Sequence, residues 1–148
     1  MLQFQCEWAD GRTASARSGY ELGHMSFAGE EGICTSRGRV PDQAMMICLA
    51  IVELLDGLGR FLSEGQLEYT FVGTDSSFSV QFRRGGKGRI AVRCGATFLG
   101  EVEGSHLCRA ILSGVESFLG QPGNQLLGDA PVREDLLSAI EEFARLRL

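Results

Sequence analysis

Apolar and polar residues alternate from the start of the chain: Leu2, Phe4, Cys6 and Trp8 are separated by Gln3, Gln5 and Glu7. A period of two sends the two sets to opposite sides of an extended backbone, so residues 2–8 predict a half-buried strand. Residues 10–19 are small and polar and predict a loop or a weak edge strand. Further strands are expected at 20–27 and 32–36, where Gly23, Gly29 and Gly32 interrupt the pattern. Pro41 predicts the opening of a helix, because its fixed φ and missing N–H are tolerated in a first turn, with Asp42 at the positive end of the dipole. This helix is expected to reach Leu55 or Leu58, where Gly57 and Gly59 weaken it. Residues 44–52 are apolar on every side, which predicts a helix covered all round and central to the core.

Period two then returns. Leu67, Tyr69 and Phe71 alternate with Glu68 and Thr70; Phe78, Val80 and Phe82 with Ser77, Ser79 and Gln81; Ile90, Val92 and Cys94 with Arg89 and Arg93. A shorter strand is expected at 98–102. Turn residues at 73–76 and 85–88 separate the first three, so the passage predicts an antiparallel meander with one face buried. A helix follows over 105–119, with Ser105 as its N-cap and Leu107, Ile111, Val115 and Phe118 as its apolar stripe. Residues 121–124 predict a loop. The last helix opens near Pro131, with Glu134 and Asp135 in its first turn and Arg145 and Arg147 at its end, charges that suit both ends of the dipole. Its expected stripe is Leu136, Ile140 and Phe143, with Leu137 and Ala144 beside it.

Runs of strands and runs of helices without strict βαβ alternation define the α+β class: an antiparallel sheet, made of the N-terminal strands and a central meander, against a buried core helix and two C-terminal helices. No internal repeat or linker divides residues 1–148, so a single domain is expected. With apolar residues at 44% and charged residues at 22%, the chain can bury a core without metal or disulfides.

Charge narrows the function. The chain carries a formal −5, from 14 basic and 19 acidic side chains. That balance argues against wholesale nucleic-acid binding, which uses a basic face against phosphate, and leaves room for a basic partner protein. The five cysteines, Cys6, Cys34, Cys48, Cys94 and Cys108, are odd in number and include no C-x-x-C pair, which fits neither a disulfide framework nor a zinc site. They read as free thiols in a reducing compartment. The first residues lack the basic region of a signal peptide, and the longest apolar run is far short of the roughly 20 residues a membrane span needs. A cytoplasmic protein without a membrane partner is expected.

Candidate chemistry is sparse. Arg83, Arg84, Lys87 and Arg89 gather with three glycines at a hairpin, but no Ser or Thr follows the lysine and no helix begins there, so this is no P-loop. It reads as a solvated, charge-protected hairpin or as a contact for an anionic ligand or acidic patch. His24 and His106 lack metal-ligand spacing. A Cys34–His24 nucleophile pair has no local signature, and 73–77 reads as turn chemistry. Glu101 and Glu103 project from one face of a strand, a ridge for basic residues of a partner, with Glu68 a further polar-face acid. No catalytic, cofactor-binding or metal residue is assigned, and no cofactor is expected.

The passage LEYTFVGTDSSFSVQF, followed by GRIAVRCG and a helix, together with the N-terminal strands and the apolar helix before it, resembles the layout of small immunity proteins of bacterial polymorphic toxin systems, of the contact-dependent or type VI secretion kind. The resemblance implies a non-enzymatic protein that binds a cognate toxin domain and blocks its active site or its closure; it carries over no functional residue. The contact regions expected from the residues are Glu68, Glu101 and Glu103, and the hairpin with Arg83, Arg84, Lys87 and Arg89. Two alternatives stay open: a secretion chaperone or adaptor holding an effector segment, and an enzyme or small-ligand domain whose site assembles from distant residues.

Overall fold

The computed structural model describes residues 1–9, 21–120 and 130–146; the loops expected at 10–19 and 121–124, the first residue of the strand expected at 20–27, and Arg147 lie outside them. The elements follow in the order β1 (Gln3–Trp8), β2 (Leu22–Ala28), β3 (Ile33–Thr35), β4 (Met45–Met46), α1 (Ile47–Glu64), β5 (Glu68–Val72), β6 (Ser79–Arg84), β7 (Arg89–Cys94), β8 (Thr97–Glu103), α2 (Gly104–Gly120) and α3 (Pro131–Ala144). The fold is α+β, as the pattern of elements predicts.

The strands make two antiparallel sheets. In the first, β2 is central: β1 runs along one side, and β3 and β4 pair in turn with the other. The second is the meander β5-β6-β7-β8. Period two becomes burial directly: in β1, Phe4, Cys6 and Trp8 are buried while Gln3, Gln5 and Glu7 are exposed. The sheets meet through aromatic side chains. Phe27 of β2 lies 6.5 Å from Phe78 and 6.3 Å from Phe82, ring centre to ring centre, and Phe4 lies 4.8 Å from Phe27. α1 fills the middle, with Ile47, Ile51, Leu54, Leu58 and Phe61 without exposed surface.

α1 departs from expectation at both ends. Residues 41–44 are not helical, and the helix starts at Ile47. Strand pairing takes the preceding residues instead: Met45 and Met46 sit opposite Gly23 and Leu22 of β2. Asp42 accepts the Ala44 N–H at 3.0 Å, a turn bond in place of a helix-dipole role. At the other end the helix runs through Gly57 and Gly59 to Glu64, and closes at Gly65 with φ 69°. Gly57 is there for space, because any Cβ would collide with the Tyr69 side chain.

α2 begins one residue before Ser105, and α3 buries Val132, Leu136, Ala139 and Phe143, whereas Leu137 and Ala144 face solvent. The reading of all five cysteines as free thiols is overturned. Cys34 of β3 and Cys94 of β7 form a disulfide that joins the two sheets, and Cys6, Cys48 and Cys108 remain free and buried. Sixty residues separate the bridged pair, so no local spacing could mark it. Among the described residues no helix is long and apolar enough to cross a membrane.

Candidate functional site

The second sheet has two chemically distinct faces. Inward it places Phe71, Val80, Phe82, Ile90, Val92, Leu99 and Val102, all buried. Outward, alternation leaves Glu68, Thr70, Gln81, Arg83, Arg89, Arg93, Glu101 and Glu103 exposed. Strand register sorts these into rows. Glu68 stands opposite Arg83, Arg83 opposite Ala91 and Ala91 opposite Glu101, while Arg89 stands opposite Glu103. Glu68 with Arg83, and Arg89 with Glu103, thus set opposite charges on neighbouring strands, which is favourable.

The contacts within this face are loose. Arg89 donates from Nη2 to the Glu101 carbonyl at 3.0 Å, and its Nε lies 3.9 Å from the Glu101 carboxylate. Arg93 lies 5.4 Å over the Phe98 ring. Exposed pairs of this kind contribute about 0–1 kcal/mol, so they can be exchanged for contacts with another molecule. Arg93 was not among the residues expected to make contacts, although the same alternation that exposes Arg89 exposes it.

Of the residues singled out in the sequence, Glu68, Arg83, Arg89, Glu101 and Glu103 share this face. Lys87 sits exposed at the hairpin tip with φ 60°. Arg84 does not belong with them. It turns to the other side, donates from Nη2 to the Phe61 carbonyl at 2.7 Å and from Nε to the Gln66 carbonyl at 3.1 Å, and lies 4.9 Å over the Phe61 ring. Its charge serves the C-terminal end of α1.

The residues considered for catalysis do not converge. Cys34 is spent in the bridge, which removes the Cys34–His24 pair. His24 instead shares a 2.8 Å hydrogen bond between Nδ1 and Ser36 Oγ, a contact that sequence spacing did not announce. Ser36 has no exposed surface, and its hydroxyl also accepts the Met25 N–H at 3.1 Å, so the pair is a structural contact. Burial, and then the Arg37 guanidinium, hold the His24 pKa below its ordinary value. In the 73–76 turn, Ser76 Oγ donates to the Gln43 carbonyl at 2.7 Å and accepts the Phe78 N–H at 3.1 Å, both backbone duties. Among the described residues no group of three or more His, Cys, Asp or Glu side chains could hold a metal ion.

A cleft of about 520 Å³ lies between β1 and α2, lined by Gln3, Gln5, Ser26, Ser113 and Ser117 among others. Its thiol, Cys6, is pushed well above the ordinary range by burial, which leaves it unreactive. Glu7 at the rim is bound to Arg37 at 2.6 Å. No family model, curated protein or solved structure matches the chain.

Proposed function

We propose that this protein is an immunity protein that neutralises a cognate toxin by direct binding, with the outer face of the β5–β8 sheet as its contact surface. The observation that supports this reading is the alignment of Glu68, Arg83, Arg89, Glu101 and Glu103 into cross-strand rows on one solvent-facing sheet. Such a surface recognises a partner by matching charge, which speeds encounter and fixes register more than it adds raw affinity. The overall −5 favours a basic toxin surface. On this reading the protein works by occupying the toxin, without catalysis, in the cytoplasm of the cell that makes both.

Co-expression with the product of the adjacent gene tests it. Wild-type protein should relieve that product's toxicity, and the Glu101→Arg/Glu103→Arg double variant should weaken the complex about 100-fold by losing two charge contacts. Circular dichroism checks that the variant is folded. A neighbour that is not toxic, toxicity that persists, or an unchanged dissociation constant in the folded variant would each reject the proposal.

A further inference from the structure

The free edges of the two sheets are treated differently. Along β1, α2 lies so close that a Cβ on Gly114 would collide with the Phe4 carbonyl, and the helix covers the edge. Along β8, the Leu99 carbonyl accepts the Glu31 N–H at 3.1 Å, and a bulge breaks the register beside Val92 and Arg93. Among the described residues no strand pairs with the outer side of β5. Residues 67–72 contain no proline, no lysine and no bulge, and Glu68 is the single charged side chain among them. Leu67 and Val72 at its two ends are 74% and 49% exposed.

Hydrogen bonding shows which groups this edge offers. The Arg84 N–H donates to the Leu67 carbonyl, and the Gly73 N–H to the Phe78 carbonyl. In an antiparallel ladder bonded pairs alternate, so Tyr69 and Phe71 also bond to β6, while the backbone groups of Glu68, Thr70 and Val72 point away from it. We propose that this edge pairs with the same edge of a second copy of the chain, antiparallel and two-fold symmetric about Thr70, to give one continuous sheet.

The sequence of β5 selects that register. Centred on Thr70, every outward-pointing residue of one strand meets an outward-pointing residue of the other, and each such pair exchanges two hydrogen bonds. Thr70 faces Thr70, a favoured cross-strand pair, and Glu68 faces Val72. Tyr69 stands opposite Phe71 on the other face, where Phe71 is already buried in its own core. Centring on Glu68 would set two carboxylates against each other, and centring on Val72, Tyr69 or Phe71 would leave outward groups of the strand without strand partners. Because the contact is isologous it closes on itself, and the charged outer face stays open.

Sedimentation equilibrium of the full chain tests the proposal, with substitutions that read the register. The wild type should double its mass as concentration rises. Val72→Glu places two like charges against Glu68 in each dimer and should raise the dissociation constant about tenfold or more. Val72→Lys places a cation there and should leave the dimer at least as tight, although lysine on an unpaired edge ordinarily blocks pairing. Thr70→Pro removes an outward N–H and should give a monomer. A wild type that stays at monomer mass, equal weakening by Val72→Glu and Val72→Lys, or a Thr70→Pro dimer overturns the assignment. Amide exchange reads the same edge in the unmodified protein: Thr70 and Val72 should exchange more slowly above the dimer midpoint than below it. Equal rates, or slowing only when a different protein is added, would give the edge to another occupant.

Discussion

His24 and Ser36 are the buried polar side chains among the described residues, with 6% and no exposed surface. Burial and the nearby Arg37 both oppose a positive charge on the imidazole, outweighing Asp42 and Glu7. The folded-state pKa therefore lies below the value near 6.5 of an unfolded chain. As pH falls through about 6.5 the unfolded chain takes up the proton first, so stability that is full above this pH declines towards the depressed folded value. Urea unfolding at a series of pH values should show this loss, and His24→Gln should flatten it. Equal slopes in the two proteins between neutrality and the onset of carboxylate titration would contradict the role given to His24.

At the scale of the element, Arg83 and Arg84 show what a sequence can and cannot tell. Adjacent in a strand, they must face opposite ways. Arg83 is exposed on the outer face, and Arg84 reaches a carbonyl of the last turn of α1, whose final carbonyls have no helical partners, and the Gln66 carbonyl just beyond. Arg84→Ala should cost about 1–2 kcal/mol in urea unfolding, discounted for its half-exposed position, while Arg83→Ala should stay within about 0.5 kcal/mol. A larger loss at Arg83 than at Arg84 would reverse the assignment. The meander and the last two helices were legible because each buries one face of a regular period, and β1 likewise. The start of α1 was not, because the pairing of Met45 and Met46 with β2 is a long-range contact that competes with a local helix signal. The outer-face residues were legible one by one from their alternation. Their assembly into rows, and the diversion of Arg84, depended on which strands lie side by side and on the path of a helix.

At the scale of the whole molecule, the Cys34–Cys94 bridge ties the N-terminal sheet to the meander across a separation of 60 residues. A cross-link over a loop of that length restricts the unfolded chain by about 4 kcal/mol in the chain-entropy picture. The double variant Cys34→Ser/Cys94→Ser should therefore lose about 4 kcal/mol in urea unfolding. Reductant should impose a similar loss on the wild type and none on the variant. Little change in either comparison would mean that packing between the sheets, centred on Phe27, Phe78 and Phe82, already holds them together without the bond. The same bond separates two histories of the protein in the cell. A reducing cytoplasm, the setting of the proposed immunity role, disfavours such bridges. Rapid quenching with an alkylating reagent under denaturing conditions, followed by mass spectrometry, counts the thiols: Cys6, Cys48 and Cys108 alone if the bridge is formed, all the cysteines if it is not. A bridged protein in quenched cells would place its working life in an oxidising compartment, and the toxin it meets with it. A fully alkylated one would mean that the two sheets are held in the cell without the bond, less stable by the margin the serine variant measures.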